Sequence, residues 1–304
     1  MIKNVLLYEG EVFESSRKKL EKLFILKDIK SKNFKNLKKV SGLLLNLNNH
    51  YSKIKLKTFP NLKFILSPTT GLNHIDKDYC NKRNLKIISL KKDDFIRKKI
   101  YSTVELSLVF ILMAVKKINR FNLLTKNFIW NRYEHKIDEF DNYKIGIIGN
   151  GRIGKILCKQ LKMLRFNVIT FDKKSNEKNL KNLLKSSDVI SIHIPAENNK
   201  NFINKRILKN CKKNVSIINT SRGEVIDEND LIEFLKINKS SSAFLDVIKD
   251  EQKNIQKLRK NKILLYQKKN NNLFITPHIG GVSIQARQIT QEIIVNKLIK
   301  KNFK

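Results

Sequence analysis

The sequence predicts an α/β protein built from two parallel-sheet domains of Rossmann-like or flavodoxin-like type, and three observations carry that reading. Short apolar, strand-like runs alternate with helical patterns along most of the 304 residues, the order that builds a parallel sheet covered by helices. A strand-to-helix turn rich in glycine lies near the middle, in KIGIIGNGRIGKILCKQLKML, Lys144 to Leu164. The chain is also long enough for two domains of ordinary size, each with its own core.

The elements follow in order. From 1 to 95 the runs NVLLYE, SGLLLNL, LKFILSP and LKIISL read as strands, with helices over SSRKKLEKLF and across His74 to Asn84. From 96 to 282 a second alternating unit surrounds the glycine turn, and its later strands are DVISIHIP, NVSIINT, SSAFLDVI and NLFIT. The final helix, 283 to 304, is too short to make a domain. It is expected to pack back on the first unit, which makes that domain discontinuous and leaves a cleft between the two. The apolar segment 104 to 118 is about half of what a membrane span needs and reads as a buried helix or a subunit contact. The Lys/Asn-rich piece at 268 to 272 reads as a surface loop.

The glycine turn has the parts of a dinucleotide site. Ile145, Ile147 and Ile148 form a strand that runs into Gly149, Gly151 and Gly154, and a helix follows with Ile153, Ile156, Leu157, Leu161 and Leu164 on one face. The first glycine permits the tight turn, the second lets backbone N–H groups approach a pyrophosphate, and the third lets the helix sit close to its strand. The helix N-terminus then faces the phosphate charge. Asp172 ends the next strand, close to the ~20-residue spacing of the carboxylate that accepts a ribose 2′-hydroxyl and repels a 2′-phosphate. The glycines alone also fit an ordinary turn; strand, helix, second strand and acid together favour NAD over NADP.

Composition bounds the rest. Hydrophobic residues at 41% exclude a wholly disordered chain, while the net charge of +36 raises nucleic acid or an anionic membrane as partners. The lysines are spread along the chain, with no Arg-rich arm, no aromatic-interleaved basic patch and no zinc-finger spacing. A matching excess of Asn and Ile points to A/T-rich codons expressed on solvated faces; attraction of acidic substrates is the other reading. Cys80, Cys158 and Cys211 make no CxxC or metal-ligand spacing, so no metal is expected and the thiols read as reduced, in a cytoplasmic protein. The start MIKNVLLYEG has too short an apolar run for a signal peptide.

Three strand ends carry candidate chemistry. Thr220, Ser221, Arg222 and Gly223 follow NVSIIN, and an arginine at the carboxyl end of a parallel strand can hold a carboxylate through two parallel bonds. SSAFLDVIKDE supplies Asp246 and Glu251, and NLFITPHIGG supplies His278. A histidine beside a carboxylate makes an acid/base device, because negative charge favours the imidazolium. Taken singly, Arg222 also reads as a surface salt bridge, Glu251 as a solvated charge and His278 as a packed loop histidine.

Together, the turn, Asp172, SDVISIHIP, INTSRGEVIDENDL, AFLDV, Glu251 and TPHIGG resemble the D-isomer-specific 2-hydroxyacid dehydrogenases, the family of phosphoglycerate, glyoxylate/hydroxypyruvate and D-lactate enzymes. SPTTGLNHID at 67 to 76 and STVEL at 102 to 106 resemble that family's substrate loop and hinge helix. The resemblance implies a catalytic set of Arg222, Glu251 and His278. It also implies that Gly149, Gly151, Arg152, Ile153, Gly154, Asp172, His193, Pro195, Thr220 and Asp246 line NAD, and that Thr70 and Gly71 meet the substrate with Arg222. It further implies hydride transfer at C2 of a D-2-hydroxy acid of phosphoglycerate or hydroxypyruvate/glyoxylate type, by a homodimer with no feedback domain. The competing expectation is a non-catalytic NAD-binding regulatory protein of the same fold, its positive charge serving a polyanion.

Overall fold

The computed structural model describes residues 4–31, 36–47, 49–90, 100–133, 137–251 and 255–301. The domain boundary expected near residue 95 and the last three residues of the final helix lie outside them. The chain divides into two compact units: one runs to Ile100 and resumes at Ser283, the other runs from Tyr101 to Val282.

The first unit contains β1 (Val5–Tyr8), α1 (Glu14–Glu21), β2 (Ile25–Asp28), β3 (Val40–Leu44), α2 (Lys53–Lys57), β4 (Phe64–Ser67), α3 (Lys77–Lys82) and β5 (Lys86–Ser89). Its five strands lie in the order β2-β1-β3-β4-β5, and every pairing is parallel. Successive strand side chains point to opposite faces, so Leu7, Leu43 and Ile65 pack with Leu56 and Cys80 on one side. Leu6, Leu44 and Leu66 pack on the other with Leu20 of α1 and with Ile294, Val295 and Leu298 of the C-terminal helix, Ile284–Lys300. Burial on both faces is why these strands read as unbroken apolar runs rather than alternating ones. The helix expected across His74 to Asn84 is shorter. Ile75 forms a parallel bridge with Tyr51, and the Asp76 carboxylate caps the helix by accepting from Tyr79 N at 3.0 Å, so winding starts only at Lys77.

The second unit contains α4 (Ser102–Val115), α5 (Ile118–Lys126), β6 (Lys144–Ile148), α6 (Arg152–Met163), β7 (Asn167–Phe171), α7 (Glu177–Ser186), β8 (Val189–Ile192), α8 (Lys205–Leu208), β9 (Ser216–Asn219), α9 (Glu228–Ile237), β10 (Ser242–Leu245), α10 (Ile255–Arg259), α11 (Lys262–Lys269) and β11 (Leu273–Ile275). Six parallel strands lie in the order β11-β10-β9-β8-β6-β7. Ile145, Ile147, Ile218 and Phe244 face Val104, Phe110 and Ile111 of α4 and Leu157 and Leu161 of α6. Ile148, Ile190, Ile217 and Ala243 face Leu183 of α7 and Leu231 and Leu235 of α9. Val104, Phe110 and Ile111 of α4 are therefore engaged inside the unit, while Val109 and Ile118, in the segment 104 to 118 suggested as a subunit contact, are 47% and 49% exposed. Strand order reverses between β6 and β8, which makes their carboxyl ends the switch point where open parallel sheets bind ligands. No helix among the described residues is long and apolar enough to cross a membrane.

Candidate active site

The glycine turn sits at that switch point. Gly149 has φ of +104°, and a Cβ there would lie 2.5 Å from the His193 carbonyl oxygen, so both backbone angle and space demand glycine. At Gly154 a Cβ would lie 2.0 Å from the Gly149 oxygen, which brings α6 hard against the turn. Gly151 differs: a Cβ would meet nothing within 4 Å. It is also the N-cap of α6, and no side chain caps that helix. Open space above uncapped N–H groups at the start of a 12-residue helix is what a pyrophosphate needs. Arg152 and Ile153 open the helix half-buried. Asp172, just past β7, accepts from Lys174 N at 2.9 Å through Oδ1. These residues fit a bound NAD.

His193 and Pro195 follow β8. The His193 Nε2 lies 2.8 Å from Ser191 Oγ, its Nδ1 is buried with no hydrogen-bond partner among the described residues, and burial pushes its pKa down to about 4. Pro195 is exposed.

Three neighbouring strands, β9, β10 and β11, deliver the remaining groups from their carboxyl ends. After β9, Asn219 organises the turn: its Oδ1 accepts from Ser221 N at 2.9 Å and Ser221 Oγ at 2.7 Å, and its Nδ2 donates to the Arg222 carbonyl at 2.9 Å. Arg222 is half-buried and its Nη1 donates to the Ser221 carbonyl at 2.6 Å; no hydrogen bond among the described residues ties it to His278 or Glu251. Thr220 is buried, with its Oγ1 2.8 Å from Ser107 Oγ. Ser107 gives its proton to the Thr103 carbonyl at 2.7 Å, so Thr220 is the donor in that pair.

After β10 comes Asp246, 1% exposed. Its Oδ1 accepts from Thr276 Oγ1 at 2.6 Å and Ile279 N at 2.7 Å, and its Oδ2 accepts from Gly280 N at 2.7 Å. Burial pushes this carboxyl's pKa up, and the three donors pull it back. Asp246 thus grips both sides of His278. Within that grip the His278 N–H closes a three-residue turn onto the Thr276 carbonyl at 2.9 Å, and His278 adopts φ of +56°. Its Nδ1 meets Glu251 Oε1 at 2.6 Å, with the two side chains 21% and 25% exposed. The Glu251–His278 contact that the resemblance implies is therefore formed, and it keeps an open side.

Thr70 and Gly71 belong to the first unit, where Thr70 is exposed. Thr69 Oγ1 donates to the Gly71 carbonyl at 2.7 Å and lies 2.8 Å from Ser67 Oγ, which in turn lies 3.2 Å from Nε2 of the buried His74. Among the described residues no group of three or more His, Cys, Asp or Glu could hold a metal ion. Reading the sequence missed Asn219, Thr276 and Ser107. A polar residue closing the apolar run SIIN was the available signal for Asn219; Thr276 and Ser107 carry none outside three dimensions.

Such a fold and site define an NAD-dependent oxidoreductase acting on CH–OH groups. The chain belongs to the D-isomer-specific 2-hydroxyacid dehydrogenase family: the NAD-binding domain of that family matches residues 108–280 and its catalytic domain matches residues 5–92. It is 28% identical over 253 residues to a glycerate dehydrogenase of Methylorubrum extorquens, covering 80% of this chain and 77% of that protein. It is 28% identical over 285 residues to a glyoxylate reductase of Thermococcus litoralis, covering 86% and 81%. The solved structure of a D-lactate dehydrogenase from Aquifex aeolicus, complexed with NAD and lactic acid, matches with a TM-score of 0.79 at 27% identity, covering 98% of this chain and 94% of that one.

Proposed function

We propose that this enzyme interconverts a short D-2-hydroxy acid and its 2-oxo acid, of the glycerate/hydroxypyruvate or glyoxylate kind. The Glu251–His278 pair at the same sheet edge as Arg222 carries the reading. A protein that merely binds nucleotide has no use for a partly open imidazole held on a carboxylate, which weighs against the regulatory alternative. Arg222 offers a planar fork that binds a carboxylate through two bonds. Glu251 takes the Nδ1–H of His278, which leaves Nε2 as the atom that exchanges a proton with the oxygen on C2. NAD, when bound, supplies or accepts the hydride at that carbon. In reduction His278 donates the proton; in oxidation it receives it.

The enzyme is further taken to act as a homodimer in the cytoplasm. Phe128, Trp130 and Tyr133, 97%, 86% and 88% exposed, offer aromatic surface within six residues of sequence that a second copy would cover, and three free cysteines suit a reducing compartment. The test of substrate class is NADH oxidation, followed at the nicotinamide absorbance band, with 3-phosphohydroxypyruvate, hydroxypyruvate, glyoxylate, pyruvate and longer 2-oxo acids. Turnover with hydroxypyruvate or glyoxylate above the others is expected. No oxidation with any of them contradicts the proposal.

A further inference from the structure

One peptide unit, Ile248–Lys249, is held from two directions. Against it lies Gly223, next to Arg222: a Cβ there would fall 2.0 Å from the Ile248 carbonyl carbon and 2.4 Å from Lys249 N. Its N–H donates to Glu228 Oε1 at 2.6 Å. Glu228 stands in the first turn of α9, where the neighbouring Asp227 already caps the helix by accepting from Asn229 N and Asp230 N. Its carboxylate is therefore not needed as a cap. Two residues past the gripped peptide comes Glu251, after Asp250 with φ of +58°, a left-handed conformation that a non-glycine residue holds only when its surroundings impose it.

We propose that Glu228 is a positioning residue: by holding the Lys249 N–H it fixes the loop that carries Glu251, and so sets the reach of Glu251 to His278 and the register of that pair with Arg222. The inference rests on the dehydrogenase reading above. Burial pushes the Glu228 carboxyl upward in pKa; the bond from Lys249 N and the Lys249 charge oppose this, while Asp250 and Asp227 add to it. A half-buried carboxylate is held in such a place by the N–H from which it accepts.

The test compares Glu228→Ala, Glu228→Gln and Glu228→Asp in the full chain. Amide exchange over residues 247–251 is read by mass spectrometry, and kcat is read beside the NADH dissociation constant. Glu228→Gln keeps an accepting oxygen at the same reach and should behave as wild type. Glu228→Ala should speed exchange over that segment about tenfold or more and lower kcat roughly ten- to hundredfold, with NADH affinity unchanged. Glu228→Asp draws the oxygen back and should move both readouts the same way, which decides the matter should the alanine variant fail to fold. In a Glu251→Gln background the loss of Glu228 should lower kcat no further. Wild-type exchange in both the alanine and aspartate variants, or an equal kcat loss with and without Glu251, overturns the proposal. A wild-type enzyme that turns over no 2-oxo acid overturns the dehydrogenase reading instead, and the exchange result still decides the role of Glu228.

Discussion

His278 holds a left-handed backbone with φ of +56°, a conformation costing about 1 kcal/mol or more for a residue with a Cβ. Asp246 makes it tenable by binding the backbone N–H groups of Ile279 and Gly280 and the hydroxyl of Thr276. Both oxygens of Asp246 are thus engaged by its own chain, and holding the histidine loop is the role its geometry displays. His193 is the other informative residue, because burial lowers its pKa from 6.5 to about 4. An unfolded chain takes up a proton there as pH falls below about 6.5, while the folded one resists until about 4. Stability linked to this imidazole is therefore whole above pH about 6.5 and is lost as pH falls through about 4, by on the order of 3 kcal/mol. Urea unfolding between pH 7 and pH 4 should show a shallower acid-side loss in His193→Gln than in wild type; parallel curves would contradict the assignment.

At the scale of elements, the turn from β6 to α6 depends on a contact that only glycine allows. With its Cβ 2.0 Å from the Gly149 oxygen, Gly154→Ala must push α6 away from its strand. Overpacking of this kind costs about 1–3 kcal/mol and displaces the N–H groups that face the pyrophosphate. A lower Tm together with an NADH dissociation constant raised about tenfold is expected; wild-type affinity in that variant would show that the turn does not hold the cofactor. This element was legible in the sequence because glycine spacing, strand pattern and helix face are all local signals. The start of α3 was not, since the Ile75–Tyr51 bridge that delays it joins distant segments. Nor could spacing show that Asn219, rather than Arg222 itself, organises the turn after β9.

For the whole molecule, both sheets repeat one order, with the first strand flanked by the second and third, and that regularity is why strand and helix alternation sufficed to predict the fold class. The triad was legible only as an order of motifs. Three adjacent strand ends bring Arg222, Glu251 and His278 to one edge, and adjacency is a property of topology that no segment encodes alone. The net charge of +36 is carried by lysines spread along the whole chain, while the site after β9 to β11 is built from a carboxylate-held imidazole and Arg222. Sedimentation of the 35.6 kDa chain should give a species of about twice that mass, with Phe128→Ser combined with Trp130→Ser shifting it to the monomer. A wild-type monomer would contradict the homodimer. The central claim, that His278 exchanges the substrate proton while held by Glu251, is tested most directly by kcat of His278→Ala measured beside its NADH affinity. A loss of about 10²–10⁴-fold in kcat with NADH binding intact is predicted, and turnover close to wild type would contradict it.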